Sequence, residues 1–214
     1  MSLQRDQEEY ILNAAKRTVF VEAEIEREDG KIECSTGTGF FVSEDLILTA
    51  KHIVVPDHGK VLRIATRCEG LKIIENDAPT WECQLVAVMP KADPINYNPL
   101  EDLAILRCPG HYSPRFLHLS ADKLENEMAV HIIGYPGAVK QTWLEARHES
   151  LKGNPLSNVE LVHKFLPQRT LTVTEGSISE VVGGCARYAV STVPGMSGGC
   201  LLYQGKVCGM ARFV

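Results

Sequence analysis

The chain has 214 residues, 44% of them hydrophobic, and its 22 basic against 27 acidic side chains leave it at −5 at neutral pH. That length buries a sizeable core as one compact unit or two lobes sharing an interface. The mildly acidic balance, with no Arg/Lys stripe, argues against a nucleic-acid footprint or an anionic-membrane binder.

Gln7 to Lys16 combines helix formers with apolar Tyr10, Ile11, Ala14 and Ala15, and predicts a short N-terminal helix. Everything after it is strand-like. Val19 to Ile25 alternates, and Glu28-Asp-Gly-Lys31 is a hairpin turn. Gly39 to Ser43 and Leu46 to Ala50 flank a turn at Glu44-Asp45. Val61 to Thr66, Trp81 to Met89 and Leu103 to Arg107 complete a first set of about six strands. Cys108 to Asp122, rich in Pro, His, Gly and Ser, reads as a linker. The second set runs through Met128 to Ile133, Thr170 to Val182, Ala186 to Thr192, Cys200 to Tyr203 and Lys206 to Phe213. Lys140 to Gln168 is irregular and reads as a surface insertion, with a helical turn at Asn158 to His163. Many short strands with turn signals point to a sandwich or barrels.

No apolar run reaches the length of a membrane span, and MSLQRDQEEY lacks a signal peptide's apolar region. The seven cysteines are odd in number and form no CxxC pair, so no metal site is expected. No Asn-x-Ser/Thr sequon occurs. Together these favour a reducing, intracellular and cytoplasmic setting; a secreted protein without its leader stays open.

The chemistry concentrates in three places. Gly195-Met-Ser197-Gly-Gly sets three glycines around one hydroxyl and runs into an apolar stretch. Alone it is a glycine-rich turn; as a nucleophile it needs a base and an acid, because a free serine hydroxyl is weak at neutral pH. His52 ends Thr49-Ala-Lys-His52, directly after the strand Leu46-Ile-Leu48 and the block Gly37-Thr-Gly-Phe-Phe-Val42. Asp102 stands just ahead of the apolar Leu103-Ala-Ile-Leu106, with Glu101 expected to face the other side. Asp93 and Asp122 are weaker acids for this role, and His58, His111, His118, His131, His148 and His163 lack the setting of His52 and read as surface histidines. The chain order His, Asp, Ser separates this arrangement from subtilisin and α/β-hydrolase types.

TAKH, EDLAIL and PGMSGGCLL resemble the three signature blocks of the trypsin-like, chymotrypsin-fold serine peptidases. The resemblance covers the chain from about Val19 to Val214. GTGFFVSEDLILTAKHIV, HIIGYPG and TEGSISEV are similar to the disulfide-free HtrA-like and glutamyl-endopeptidase-like branches. The resemblance implies an all-β fold of two six-stranded antiparallel barrels with the active site in the crevice between them. The expected division is an N-terminal helix over 1–18, a first barrel over 19–110, a linker over 111–127 and a second barrel over 128–214. It implies Ser197 as nucleophile, His52 as general base, Asp102 as its orienter, and an oxyanion hole from the N–H groups of Gly195 and Ser197. Polypeptide is the implied partner, with no cofactor, metal, nucleic acid or membrane.

Several residues depart from the family pattern. Met196 stands where digestive relatives have an aspartate that pairs with a cut N-terminus, so activation by clipping is not expected. Ile53 and Val193 replace cysteines of secreted relatives. The primary pocket would be lined from Ser191 and Thr192, without the aspartate of an Arg/Lys-specific enzyme. Arg212, Phe213 and Val214 fall on the strand that pairs with substrate backbone. Arg212 is expected to face solvent or meet an acidic side chain, and Ala211 replaces a specificity histidine of glutamyl endopeptidases. Relatives continue past this strand; an incomplete second barrel, a cut chain, or packing taken over by the N-terminal helix are the readings left open. Beside the peptidase stand a catalytically silent peptide-binding or regulatory relative, and a nucleotide-binding protein using Gly37-Thr-Gly39, which lacks a P-loop pattern.

Overall fold

A computed structural model describes residues 2–67, 80–90, 101–110, 113, 115–136, 171–188 and 195–212. Helix α1 (Ser2–Ala15) leads into β1 (Thr18–Glu26), β2 (Ile32–Phe41) and β3 (Leu46–Ala50). The single helical turn α2 (Lys51–Val54) precedes β4 (Lys60–Arg67), β5 (Trp81–Glu82), β6 (Gln84–Val88) and β7 (Leu103–Arg107). These strands form one antiparallel sheet in the order β5-β4-β1-β2-β3-β7-β6. Its two end strands are separated in the chain only by Cys83, whose N–H donates to the Ile64 carbonyl at 2.8 Å. One bent strand therefore pairs with β4 on one side and β7 on the other, and the sheet curls round on itself.

The second curled sheet contains β8 (Ala129–Gly134), β9 (Thr172–Val182), β10 (Cys185–Tyr188), β11 (Cys200–Tyr203) and β12 (Lys206–Met210), in the order β10-β9-β8-β11-β12. The architecture is all-β and chymotrypsin-like, with two helices, and five strands of the second sheet lie among the described residues. The segment between the sheets is stitched to both: Leu117 N–H donates to Phe41 O, and Ser120 N–H to Val207 O. Lys140 to Gln168, including the turn expected at Asn158 to His163, lies outside the described residues.

The seam between the sheets follows from the two-residue period of β1. Val19, Val21 and Ala23 pack inside the first sheet with Phe41 and Ile47, while Phe20 on the opposite face joins Phe40, Ile133 and Tyr135. The Phe20 and Tyr135 rings meet edge to face at 5.9 Å, a favourable quadrupole arrangement. Complete burial of each phenylalanine contributes on the order of 2–3 kcal/mol.

Helix α1 covers the second sheet although it adjoins the first in sequence. Ala14 and Ala15 enter the seam cluster, and the Gln7 amide and Tyr10 hydroxyl reach the two ring nitrogens of His131 at 3.0 and 3.4 Å. His131 is buried rather than a surface residue, because its ring anchors this helix. The helix begins at Ser2, five residues before the start expected from its apolar pattern, since its first turns carry polar residues.

Candidate active site

Strand pairing brings the base and acid together. Ala50, the last residue of β3, lies opposite Leu103, the first of β7. The residue just before β7 therefore faces the turn that follows β3. Ile53 and Val54 bury one side of α2 in the first core, which leaves His52 on the open side with its side chain 44% exposed. The His52 Nδ1 lies 2.7 Å from Asp102 Oδ2, and the His52 backbone N–H donates to Asp102 Oδ1 at 2.9 Å. Lys51 N–H adds a bond to the Asp102 carbonyl at 3.2 Å. Both carboxylate oxygens are thus engaged by one residue. An ionised carboxylate only accepts, so the ring proton sits on Nδ1 and Nε2 is left as an acceptor.

Burial alone would raise the Asp102 carboxyl, whose side chain is only 7% exposed. The side-chain and backbone hydrogen bonds from His52, with the charges of His52 and Arg212, outweigh that and hold it below its ordinary value. Glu101 is also buried. Asp122 is an exposed residue bonded to Ser120 and near Lys206, and Asp93 lies outside the described residues.

Ser197 occupies a turn whose peptides are fastened one after another. Gly195 O accepts from Thr38 Oγ1 at 2.9 Å. Met196 O accepts from Gly199 N, Ser197 O from Thr38 N, and Ala211 O from Gly198 N, at 2.9, 2.8 and 2.8 Å. A trans peptide sets N–H and C=O in opposite directions, so the bond on Met196 O fixes the direction of the Ser197 N–H. Gly198 has φ +86°, and a Cβ there would stand 1.9 Å from the Thr38 carbonyl oxygen; no other residue fits without moving β2. Gly195 likewise has φ +93°. Met196 is fully buried with Val130, Ile132, Ile178 and Leu201. The methionine therefore fills the second core with an uncharged side chain.

Thr38 was not singled out by its sequence setting, yet it is the centre of this arrangement. Fully buried on β2, its hydroxyl donates to Gly195 O and accepts from Tyr135 N–H at 2.8 Å. Its backbone N–H holds Ser197 O, and its carbonyl accepts from Thr49 Oγ1 at 2.7 Å. One residue of the first sheet thus holds the serine turn and the end of β8. A small polar residue between two glycines was the available signal, but nothing local marked its partners.

Arg212 lies against the acid: its Nε is 2.9 Å from Asp102 Oδ2. The contact is an ion pair and not an aligned hydrogen bond. Ser191, Thr192, Phe213 and Val214, the other residues expected to line the substrate site, lie outside the described residues. Among the described residues no cluster of three or more His, Cys, Asp or Glu could hold a metal ion, and no helix is long and apolar enough to cross a membrane. The six described cysteines are free thiols.

A family model described as a trypsin-like peptidase domain matches residues 37–210. Among solved structures, the Rv3671c protease from M. tuberculosis in its active form is 19% identical with a TM-score of 0.59; the match covers 94% of this chain and 71% of that one. Its inactive form is 19% identical with a TM-score of 0.54, covering 96% and 82%. A serine-to-alanine variant of the same protease, also inactive, is 20% identical with a TM-score of 0.55, covering 94% and 79%. These likenesses concern the fold. No curated protein sequence matches the chain.

Proposed function

The chain belongs to the trypsin-like peptidase family, and from that premise we propose that it cleaves polypeptides through an acyl-enzyme formed on Ser197. His52 accepts the Ser197 hydroxyl proton at Nε2 as the oxygen attacks the scissile carbonyl carbon. Asp102 holds the Nδ1 proton and offsets the positive charge that develops on the ring. The carbonyl electrons move onto oxygen, which the N–H groups of Gly195 and Ser197 receive. The intermediate collapses, and His52 returns the proton to the departing amine. Water then adds to the ester by the same route in reverse, with His52 again as base, and releases the new carboxylate and the Ser197 hydroxyl.

The observation that carries this reading is the two-point grip between His52 and Asp102, at 2.7 and 2.9 Å. It fixes the ring's tautomer and orientation before substrate arrives, and orientation of the base is the acid's main task. The substrate cleft runs between a first barrel over 19–110 and a second over 128–214, joined by 111–127. Ser191 and Thr192 line the primary pocket, and Phe213 and Val214 pair with substrate backbone. Without an aspartate in that pocket, strong selection of Arg or Lys is not expected.

A fluorophosphonate tests the reading directly. It should label the wild-type protein at Ser197, with labelling abolished in Ser197→Ala and strongly reduced in His52→Ala. Folded wild-type protein that never labels, yet retains peptides, would instead establish a silent binding relative.

A further inference from the structure

We propose that Arg212 is a positioning residue that extends the working range of the His52–Asp102 pair toward acid pH. The inference rests on the triad reading above and goes beyond it, because family resemblance placed Arg212 with the substrate. The backbone before it is tied to the serine turn on both sides. Gly198 N–H donates to Ala211 O, and Ala211 N–H donates to Gly199 O, both at 2.8 Å. Arg212 consequently leaves this strand beside the triad, and its Nε meets the same Asp102 oxygen that faces His52 Nδ1, at 2.9 and 2.7 Å. Arg212 is 27% exposed and Asp102 only 7%, so this pair is poorly screened.

The charge balance sets the direction of the effect. A lone carboxylate beside the ring attracts a proton onto it, and a protonated ring cannot accept the serine proton. With a guanidinium on the same carboxylate oxygen, the Arg212–Asp102 pair is already neutral. A further positive charge on the ring then meets repulsion as well as attraction. The same cation adds to the His52 hydrogen bonds and charge that keep the buried Asp102 ionised. Both effects preserve the neutral ring and charged acid to lower pH. The other charged residues on the contacting segments are Lys51, whose Nζ donates to Met89 O at 3.0 Å, and Glu101, buried next to Asp102. Neither is altered in the test.

The test measures the rate of fluorophosphonate labelling at Ser197 from pH 4 to 9 in wild type, Arg212→Gln, Arg212→Met and Arg212→Lys, each with a melting curve. Two neutral variants of different shape guard against a loss of fold specific to one. The acid limb should move to higher pH in both neutral variants, and by less in Arg212→Lys. Where wild type labels and the neutral variants show its unshifted limb, the role of Arg212 is refuted while the triad stands. An unshifted limb with a raised KM for acidic peptides would return Arg212 to the substrate. Absence of Ser197 labelling in folded wild type at every pH would remove the triad and this inference together.

Discussion

Replacing Thr38 by valine isolates one hydroxyl at nearly constant shape. That hydroxyl serves two buried backbone groups, Gly195 O and Tyr135 N–H, at 2.9 and 2.8 Å. Each buried polar group left without its partner costs about 1–3 kcal/mol, so Thr38→Val should lose about 2–6 kcal/mol. For a chain of this size that lowers Tm by roughly 4–24 °C. The Thr38 backbone bond to Ser197 O survives, so the serine turn loosens at Gly195 first. Loss of one complete oxyanion donor costs about 10²–10³-fold in kcat; partial misorientation should slow acylation about 10- to 100-fold. Fluorophosphonate labelling and peptide hydrolysis read that loss, and Thr38→Ser should restore most of both rate and melting temperature. Thr38→Val protein that labels at the wild-type rate, or Thr38→Ser protein as slow as the valine variant, would refute the assignment of the hydroxyl.

Two further outcomes follow from titratable groups. The Asp102 carboxyl is depressed in the folded chain, so its stabilisation is present above the ordinary carboxylate value of about 4 and is lost as pH falls through the lower folded value. The gap in Tm between wild type and Asp102→Asn should therefore shrink between pH 6 and pH 3; a constant gap would contradict the depression. Burial pushes the Cys200 thiol up to about 12 and the Cys208 thiol up to about 11, while Cys34 is exposed. The buried Cys200 and half-buried Cys208 thiols stay protonated in the folded chain near pH 8, so iodoacetamide should modify Cys34 quickly and those two slowly by mass spectrometry. Equal rates at all three would show that the packing around Cys200 at the seam and Cys208 in the second core opens readily.

The strands and the triad candidates were legible because each has a local signature. Leu46 to Ala50 and Leu103 to Arg107 are short apolar runs between turn residues, and their bounds match the observed β3 and β7. The pairing Ala50 to Leu103 then places His52 beside Asp102. What escaped depends on partners distant in sequence. Thr38 looks like any strand threonine until Gly195 and Tyr135 arrive from the other sheet. Arg212 carries no local hint that it faces Asp102. His131 reads as a surface histidine because Gln7 and Tyr10, which enclose it, lie more than a hundred residues earlier. The bend at Cys83 was read as one straight strand, since its alternation continues through the corner that sends β5 and β6 to opposite sheet ends.

Helix α1 has a consequence for how the chain is made. It is synthesised before its own resting place, which includes His131 and the hairpin at Gly205, where an added Cβ would sit 3.2 Å from Tyr10 Cβ. That hairpin joins β11 to β12, far later in the chain than the helix. During translation Tyr10 and Ala14 must wait without their cover, and native docking of the amino-terminal segment is necessarily a late event. Such long-range closure is intrinsically slow.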